Sequence, residues 1–322
     1  MTVIVTGAAG FIGAAVCDRL LARGERVVGV DTFNAYYDPA LKRARVARLD
    51  GQPGFRMVEA DVADAAAMAA LVGDPEVTGV VHLAAQAGVR YSIDHPFAYE
   101  HANLAGHLSV LEACRHVPSV RHLVYASSSS VYGDRAGSGA FTEDDPVDRP
   151  VSLYAATKRS CELMSQSYAA LYGFPMSGLR FFTVYGPWGR PDMAYFSFTR
   201  KILAGEPIEV FGQGRMARDF TYVDDIVDGI LGVLDRPGAQ GSHRLFNIGD
   251  NRPVGLMRMI EILETALGRT AEKVFLPMQA GDVTETYADI SRLHALTGYA
   301  PKVSLEEGIP RFVDWYRRFY AG

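Results

Sequence analysis

The chain has 322 residues, of which 48% are hydrophobic and 21% charged, with 32 Lys and Arg against 37 Asp and Glu. This length allows one or two domains with a large buried core, and the hydrophobic share is too high for a disordered chain. The net charge of -5 disfavours nucleic acid as a partner, and no apolar run reaches the roughly 20 residues of a membrane span. The cysteines Cys17, Cys114 and Cys161 fit neither a disulfide framework nor a metal-ligand spacing, which indicates a reducing, cytoplasmic location and no bound metal ion.

Short β-branched runs alternate with helical patterns through the first 180 residues. We predict strands over residues 2–6, 26–30, 55–59, 79–83, 120–126 and 175–179. Apolar residues recur at helical spacing over 11–23, 97–116 and 153–172. Because strands that alternate with helices usually form parallel sheets, we predict an α/β fold with a doubly wound parallel sheet.

The pattern changes after Gly186, where strands become shorter and Pro and Gly more frequent. We predict helices here over residues 194–204, 224–234, 254–267 and 305–319. The chain therefore divides into a lobe of residues 1–186, with a return of about 220–235, and a smaller α/β lobe of residues 187–322.

A glycine motif with the spacing G-x-x-G-x-x-G follows the first strand and opens the first helix, at Gly7, Gly10 and Gly13. In a Rossmann-type sheet these glycines allow a tight turn and close approach of a pyrophosphate to the helix N-terminus. Asp31 ends the second strand, where a carboxylate accepts hydrogen bonds from adenosine ribose hydroxyls and repels a 2′-phosphate. The motif thus predicts NAD rather than NADP; the alternative is a structural turn with a capping Asp.

Further cofactor contacts are predicted at the ends of later strands. Asp61 follows the third strand and is placed beside adenine, although it could instead cap the helix that follows. Small residues after the fourth strand allow close approach, and Asn103 inside a helix indicates a buried polar contact to these loops. The predicted cofactor-binding residues are Gly7, Gly10, Phe11, Ile12, Gly13, Asp31, Asn34, Asp61, Val62, Leu83, Ala84, Ala85, Ala87, Asn103, Tyr154 and Lys158.

A catalytic group is predicted from Tyr154 and Lys158, which lie at i and i+4 on one helix face. A nearby cation favours the phenolate, so that the tyrosine can serve as a general base near neutral pH. This spacing alone is common by chance, but four consecutive serines at 127–130 end the fifth strand in the same crevice. We predict that Ser128 hydrogen-bonds the substrate hydroxyl that Tyr154 deprotonates; a hydroxyl-rich turn is the alternative.

These parts together resemble the extended short-chain dehydrogenase/reductase superfamily, and specifically its nucleotide-sugar epimerases and dehydratases. Within it, the closer resemblance is to the UDP-glucuronate 4-epimerases, carried by residues 31–43, 84–92, 152–158, 180–193, 218–225 and 279–283. The resemblance covers essentially the whole chain, with a departure at Ala35, where the family has an acidic residue. It implies hydride transfer between a sugar carbon and tightly held NAD.

The resemblance also implies a set of residues that bind the UDP-sugar. A sugar carboxylate needs cations or hydroxyl donors, for which Arg90, Thr183 and Arg190 are the candidates. Arg190 could instead be a solvated or structural charge. Arg218 and Asp282 are assigned to the diphosphate and uridine, and the alternative for them is a lobe-spanning ion pair. The predicted substrate-binding residues are Arg90, Ser128, Ser129, Thr183, Arg190, Arg218 and Asp282.

The expected reaction is the conversion of UDP-glucuronate to UDP-galacturonate. Tyr154 removes the 4-hydroxyl proton, and hydride leaves carbon 4 and returns to the opposite face of the transient 4-keto sugar. This intermediate is a β-keto acid, which loses carbon dioxide readily. We therefore expect the residues that contact the carboxylate to hold the bond between the carboxylate and carbon 5 out of alignment with the π system of the ketone.

Four other functions are alternatives at this stage. A UDP-glucuronate decarboxylase or another UDP-sugar 4-epimerase would use the same first step. A 4,6-dehydratase needs an acid/base pair beside the serine run, where this chain has Ser129 and Ser130. A non-catalytic NAD-binding scaffold is disfavoured by the intact Tyr154 and Lys158. The resemblance further implies a homodimer, paired through the helices predicted over 97–116 and 153–172.

Overall fold

The computed structural model describes residues 1–134, 139–278 and 284–320. Seven strands form one sheet in which every neighbouring pair is parallel. These strands are β1 (Thr2–Thr6), β2 (Arg26–Asp31), β3 (Phe55–Glu59), β4 (Val77–His82), β5 (Leu123–Ser128), β6 (Met176–Phe181) and β10 (His243–Ile248). Their spatial order is β10-β6-β5-β4-β1-β2-β3.

The helices of this first unit connect the strands as crossovers. They are α1 (Phe11–Ala22), α2 (Pro39–Ala47), α3 (Ala65–Val72), α4 (Tyr91–Asp94), α5 (Pro96–Tyr99), α6 (Gly106–Arg115), α7 (Leu153–Tyr172) and, later in the chain, α9 (Val223–Leu234). A π-helical turn, Glu100–Ala105, joins α5 to α6, and a 3-10 turn, Ser129–Tyr132, follows β5.

Both faces of the sheet are covered, which explains its continuous apolar strands. Val3 and Val5 are fully buried in the cluster on the α1 and α9 side, whereas Ile4 is buried in a second cluster with Val110 and Leu111 of α6. Successive side chains of a strand point to opposite faces, so the run Val-Ile-Val fills both layers. The predicted α/β, doubly wound parallel fold is confirmed.

The rest of the chain forms a smaller α/β part beside the sheet. Its strands are β7 (Thr183–Tyr185), β8 (Ile208–Val210), β9 (Ala217–Tyr222), β11 (Pro253–Gly255), β12 (Lys273–Phe275) and β13 (Glu285–Thr286). Strands β7, β11 and β13 pair with β9, and β12 pairs with β8. The helices are α8 (Ala194–Ala204), α10 (Leu256–Leu267), α11 (Ser291–Thr297) and α12 (Leu305–Tyr320).

Most predicted elements lie within one to three residues of those observed, but two expectations need correction. The predicted continuous helix over 97–116 is interrupted by the π-helical turn, which turns Asn103 into the interior. The helix predicted from residue 254 begins at Leu256, because Pro253–Gly255 pairs with β9 instead.

We predict that residues of about 220–235 return to the first lobe, but the later part of the chain also supplies a strand of the seven-stranded sheet. That return corresponds to α9, which packs against α1, and the seventh strand then comes from His243–Ile248. The division of the chain into two lobes at residue 186 stays a prediction. In the described part of the chain, no helix is both long enough and apolar enough to cross a bilayer.

Candidate active site

A cleft of about 480 Å³ lies at the carboxyl ends of the central strands, where open α/β sheets bind their ligands. Most of the predicted site residues line it. They are Gly7, Gly10, Phe11, Ile12, Gly13, Asp31, Asn34, Asp61, Val62, Leu83, Ala84, Ala85, Ala87, Ser128, Tyr154, Lys158 and Arg190. Five predicted residues are not part of its walls, namely Arg90, Asn103, Ser129, Thr183 and Arg218. Asp282 lies outside the described residues.

The glycine loop packs so tightly that it leaves no room for a side chain at Gly7 or Gly13. A Cβ on Gly13 would lie 2.0 Å from the carbonyl oxygen of Gly7. Gly7 itself has a φ of +72°, and a Cβ there would lie 2.8 Å from the amide nitrogen of Ala84. Gly10, in extended conformation, precedes α1, whose first N–H groups carry the positive end of the helix dipole. The loop therefore fits the diphosphate of a dinucleotide.

Asp31 ends β2 with its carboxylate buried beside this loop. Its Oδ2 accepts the N–H of Ala9 at 3.1 Å, and its Oδ1 accepts the N–H of Phe33 at 2.9 Å. Asp31 thus holds two backbone segments and also lines the cleft, where its remaining lone pairs can accept from ribose hydroxyls. Asp31 therefore also has the structural role that the alternative assigned to it, since its carboxylate accepts hydrogen bonds from backbone N–H groups.

Lys42 of α2 is a cleft residue to which the sequence assigned no role. Its Nζ donates to Oδ1 of Asn34 at 2.8 Å and lies 3.8 Å from Oδ1 of Asp31. Its side chain is buried, and this burial lowers the pKa of the ammonium in spite of the nearby carboxylate. The one signal for Lys42 in the sequence is its position in the segment 31–43, which resembles the UDP-glucuronate 4-epimerases.

Asp61 pairs with a histidine rather than capping a helix. Its Oδ2 lies 2.8 Å from Nε2 of His101, and its Oδ1 accepts the N–H of Ala63 at 2.9 Å. Burial raises the pKa of Asp61, but the hydrogen bonds from His101 and from the N–H of Ala63 together outweigh burial and hold that pKa below its usual value. The cap of α3 is Asp64, which accepts the N–H groups of Ala66 and Ala67, so the capping alternative for Asp61 is wrong.

Asn103 acts on the cleft through a neighbouring loop. Its amide oxygen accepts the N–H of Gln86 at 2.8 Å, and its Nδ2 donates to the Gln86 carbonyl at 3.1 Å and to Oγ1 of Thr157 at 3.0 Å. The side chain therefore ties the segment after β4 to α7. The predicted buried polar contact to these loops is present, while direct contact of Asn103 with a cofactor stays a prediction.

Helix α7 carries Tyr154 and Lys158 into the cleft. Its cap is Ser152, whose Oγ accepts the N–H of Ala155 at 3.1 Å and so fixes the start of the helix next to Tyr154. The buried Nζ of Lys158 donates to the carbonyl of Ala126 in β5 at 2.9 Å. This contact keeps the ammonium at the end of β5 on the helix face that also presents Tyr154.

A neutral histidine lies near this ammonium. The Nδ1 of His82, at the end of β4, is 2.7 Å from Oγ1 of Thr6. Burial lowers the pKa of His82 to about 3, and the charge of Lys158 acts in the same direction. His82 therefore adds no second positive charge at neutral pH.

The serine run divides into hydroxyls with different contacts. Ser127 also lines the cleft, and its hydroxyl donates to Oε1 of the buried Glu162 at 2.6 Å. Ser128 lines the cleft and accepts from the N–H of Ser130 at 3.2 Å and from its hydroxyl at 2.7 Å. Ser128 caps the 3-10 turn, as the hydroxyl-rich alternative suggested, and its own proton remains available for a substrate oxygen.

A buried ion pair supports the serine run from below. Glu162 accepts from Nε and Nη2 of Arg180 at 2.8 and 3.0 Å, and both side chains are at most 1% exposed. Burial raises the pKa of Glu162, but Arg180 outweighs it and keeps the carboxyl ionised. Arg180 also donates to the hydroxyl of Tyr132 at 3.0 Å. Local sequence patterns do not indicate this pairing, because the two residues lie on different elements.

Arg190 lines the cleft in an ion pair with Asp192. Its Nη2 and Nε lie 2.5 and 3.1 Å from the two carboxylate oxygens, and Asp192 also accepts from the hydroxyl of Tyr36 at 3.1 Å. Burial raises the pKa of Asp192, but Arg190 outweighs it and lowers that pKa. The guanidinium is therefore held in place by an ion pair, as the alternative of a structural charge predicts, and contact of Arg190 with a substrate stays a prediction.

The side chains of three other predicted substrate residues are not part of the cleft walls, although Thr183 lies between the lining residues Phe182 and Val184. Arg90 stacks over the ring of Phe211 at 5.3 Å, joining the loop after β4 to the smaller part of the chain. Thr183 opens β7, where it is paired with Phe220 of β9. Arg218 donates from Nη1 to the carbonyls of Ala217 and Thr284. Their contact with a substrate stays a prediction.

Comparison with known proteins places this geometry in a family. The profile described as "NAD dependent epimerase/dehydratase family" matches residues 3–249. The chain belongs to this family. It is 47% identical to a probable UDP-glucuronate 4-epimerase of Rhizobium meliloti, over 99% of this chain and 98% of the relative. It is 48% identical to UDP-glucuronate 4-epimerase 1 of Arabidopsis thaliana, over 100% of this chain and 78% of that protein.

Solved structures of the family share the whole architecture. The UDP-glucuronic acid 4-epimerase from Bacillus cereus, in complex with UDP-glucuronic acid and NAD, is 36% identical with a TM-score of 0.93. The alignment covers 99% of this chain and 100% of that chain. The UDP-glucose 4-epimerase of Thermotoga maritima, with UDP-glucose, is 30% identical with a TM-score of 0.89, covering 99% of each chain.

The chemistry available in the cleft follows from these groups. A phenol, an ammonium and a serine hydroxyl meet beside a loop shaped for a dinucleotide, which suits proton transfer coupled to hydride transfer. Within residues 1–134, 139–278 and 284–320, no cluster of three or more His, Cys, Asp or Glu is arranged to hold a metal ion.

Proposed function

We propose that this protein catalyses the NAD-dependent 4-epimerisation of UDP-glucuronate to UDP-galacturonate. The observation that carries this proposal is the convergence of Tyr154, Lys158, Ser128 and Arg190 on the cleft that also contains the glycine loop. Relatives at 47–48% identity are named as epimerases of this substrate, and a neighbour with a TM-score of 0.93 holds UDP-glucuronic acid and NAD.

The three catalytic residues have separate tasks in this proposal. Tyr154 accepts the proton of the sugar 4-hydroxyl and later returns it. Lys158, fixed on the carbonyl of Ala126, favours the phenolate through its charge. Ser128 donates its hydroxyl proton to the same sugar oxygen, because its own oxygen already accepts from Ser130. NAD, when bound, supplies the reversible hydride acceptor for carbon 4.

The cofactor is assigned to the glycine loop and the strand ends around it. Gly7, Gly10 and Gly13 leave room for the diphosphate, and Asp31 takes the adenosine ribose. We assign the adenine side of the cleft to Asp61 with Val62 and its opposite wall to the small residues after β4. The remaining assignments are Phe11, Ile12, Asn34, Leu83, Ala84, Ala85, Ala87 and, through Gln86, Asn103.

The sugar carboxylate distinguishes this reaction from epimerisation of neutral sugars. The 4-keto form is a β-keto acid, so its carboxylate must be kept from aligning with the ketone. We assign this task to Arg190, already oriented by Asp192, together with Thr183. Arg90 is a further candidate for the sugar carboxylate. The diphosphate and uridine are assigned to Arg218 and Asp282, and Ser129 is assigned to the sugar.

The decisive experiment incubates purified protein with UDP-glucuronate, without added NAD, and identifies the sugar product. We expect UDP-galacturonate. Tyr154→Phe should lower kcat by a factor of about 10² to 10⁴, because the general base is lost. Tyr172→Phe, on the exposed end of the same helix, is the matched control and should retain full activity.

Other outcomes point to the alternatives. A pentose and carbon dioxide would identify a decarboxylase, and turnover of UDP-glucose in preference to UDP-glucuronate would identify another UDP-sugar epimerase. Full activity of Tyr154→Phe would refute the catalytic role of that residue.

The protection of the carboxylate is tested by product analysis. Thr183→Val and Arg190→Ala should release more decarboxylated product per turnover than the wild type. Arg121→Ala, just before β5 and so at the opposite end of the strands from the cleft, is the control. Equal decarboxylation by all four proteins would refute the roles assigned to Thr183 and Arg190.

A homodimer and a cytoplasmic location complete the proposal. Large apolar side chains are exposed on the helices predicted to pair, with Phe97 83%, Leu171 70% and Leu163 54% exposed. Leu163→Glu should convert the dimer to a monomer in light scattering, whereas Val274→Glu, on β12, should not. A monomeric wild type would contradict the dimer.

The three buried free thiols support a reducing, cytoplasmic location, which fractionation of the source cells would test.

A further inference from the structure

Helix α2 carries an arginine that is completely buried. Arg45 is 0% exposed and uses all five of its N–H groups. Its Nε and Nη2 both donate to the carbonyl of Trp188, at 3.0 and 2.7 Å, and Nη2 also donates to Gly189 at 3.0 Å. Its Nη1 donates to the carbonyl of Ala9 at 3.1 Å and to the hydroxyl of Tyr37 at 2.6 Å.

All of these acceptors are neutral, which sets Arg45 apart from the other fully buried arginine. Arg180 has its charge matched by Glu162. Arg45 has no carboxylate within 4.0 Å among the described residues. An unmatched buried charge is costly, so its presence beside the cofactor loop needs a reason.

The acceptors belong to segments that form two sides of the cleft. Ala9 lies in the glycine loop, and its N–H is already taken by Asp31, so that Arg45 and Asp31 together fix both of its peptide groups. Trp188 has a φ of +65°, a conformation that few non-glycine residues adopt. Two bonds from Arg45 hold the Trp188 carbonyl, and Arg190 follows two residues later.

We propose that Arg45 is a positioning residue that couples the cofactor loop to the segment bearing Arg190. Because Arg45 bonds the Ala9 carbonyl in the glycine loop, the diphosphate of a dinucleotide bound at that loop would be the anion that offsets its charge. Arg45 therefore contributes to dinucleotide affinity without touching the ligand, and it transmits the position of the loop to Arg190. The part that concerns Arg190 rests on the proposed function.

Replacing Arg45 with lysine distinguishes the effect of its positive charge from the effect of its hydrogen bonds. Arg45→Lys keeps the positive charge, but one ammonium on a shorter reach cannot bond Ala9, Trp188 and Gly189 together. Arg45→Met removes both charge and bonds. The matched control is Arg43→Lys on the same helix, whose side chain is exposed and faces Glu59.

Binding is measured in a Tyr154→Phe background, so that no turnover disturbs the equilibria. We expect Arg45→Lys to weaken both NAD binding to the cofactor-free protein and UDP-glucuronate binding to the NAD-loaded protein about ten-fold each. Arg45→Met should weaken NAD binding further, because the charge is lost. Arg43→Lys should change neither affinity.

A double-mutant comparison tests the coupling itself. With Arg190→Ala already present, Arg45→Lys should no longer weaken UDP-glucuronate binding, while its effect on NAD stays the same. A purely structural role would weaken UDP-glucuronate binding equally in both backgrounds.

Three results would overturn the inference. One is unchanged NAD affinity in Arg45→Lys, even with a lowered Tm. Another is an equal effect of Arg45→Lys on UDP-glucuronate binding with and without Arg190. A third is equal NAD affinity of the Lys and Met variants, which would exclude a role for the charge; if the Met variant does not fold, the Lys variant decides the first two results. Failure of the wild type to bind UDP-glucuronate would instead count against the proposed function, and the NAD measurements would still test Arg45.

Discussion

Replacing Glu162 with glutamine tests how much the buried ion pair stabilises the floor of the active site. Glu162 accepts hydrogen bonds from Arg180, Ser127 and the more exposed Arg159, and its own side chain is 0% exposed. The glutamine is nearly isosteric, so it leaves no cavity. It does leave the Arg180 guanidinium buried without a counter-charge, and it points an amide N–H₂ at groups that are themselves donors.

The magnitude follows from these contacts. Breaking one partner of a buried pair costs about 3–5 kcal/mol. Unfolding entropy of about 2.1 cal/mol/K per residue gives roughly 0.7 kcal/mol/K for a chain of 322 residues. Glu162→Gln should therefore lower Tm by about 4–7 °C.

The assay is urea and thermal unfolding of wild type and variant at equal NAD concentration. Arg159→Met removes only the exposed contact to Glu162 and should cost about 1 kcal/mol or less. The reasoning is refuted if Glu162→Gln destabilises no more than Arg159→Met. Because Ser127 also loses its carboxylate acceptor, kcat should fall in the glutamine variant at temperatures where it is fully folded.

Three further predictions concern the cofactor loop, acid sensitivity and cofactor choice. Gly13→Ala should weaken NAD binding by at least about 100-fold in titration calorimetry, because its Cβ would lie 2.0 Å from the Gly7 carbonyl oxygen; near-native affinity would show that the loop can yield. Burial lowers the pKa of His122 to about 4, so the neutral ring stabilises the fold above pH 6.5, and this stability is lost as pH falls from 6.5 toward 4. At pH 5 this contribution lowers the free energy of unfolding by about 2 kcal/mol, and the His122→Gln variant should lack this pH-dependent decrease. If the free energy of unfolding in urea fell equally with pH in the wild type and the variant, the prediction would be contradicted. Asp31→Asn should raise NADP affinity relative to NAD, because the ammonium of Lys42 then faces the ribose without its carboxylate neighbour; an unchanged affinity ratio would argue against repulsion by Asp31.

The sequence predicts those parts of the site whose members are close along the chain. The glycine loop with Asp31 spans one strand–helix–strand unit, and Tyr154 and Lys158 share a single helix. Local periodicity and spacing are enough to place such groups, as the agreement of strand 2–6 and helix 153–172 with the structure illustrates.

Groups whose partners are distant in the chain could not be predicted in this way. Arg45 and Trp188 are 143 residues apart, and nothing in the local pattern of either indicates the other. The seventh strand is not predicted from the sequence, because His243–Ile248 mixes polar and apolar residues. Its Arg244 and Asn247 have hydrogen-bond partners in the folded chain, which makes a polar strand acceptable there.

The position of that seventh strand has a consequence for biosynthesis. The sheet is complete only once the chain has been made through Ile248, long after the cofactor loop at its beginning. Until then β6 is an edge strand with unpaired backbone groups, which is a hazard for association with other chains. A ribosome-bound or truncated chain ending before residue 243 should therefore depend on chaperones. If the chain is cut between α9 and β10 and both fragments are supplied together, β10 of the second fragment should pair with β6 of the first and complete the sheet.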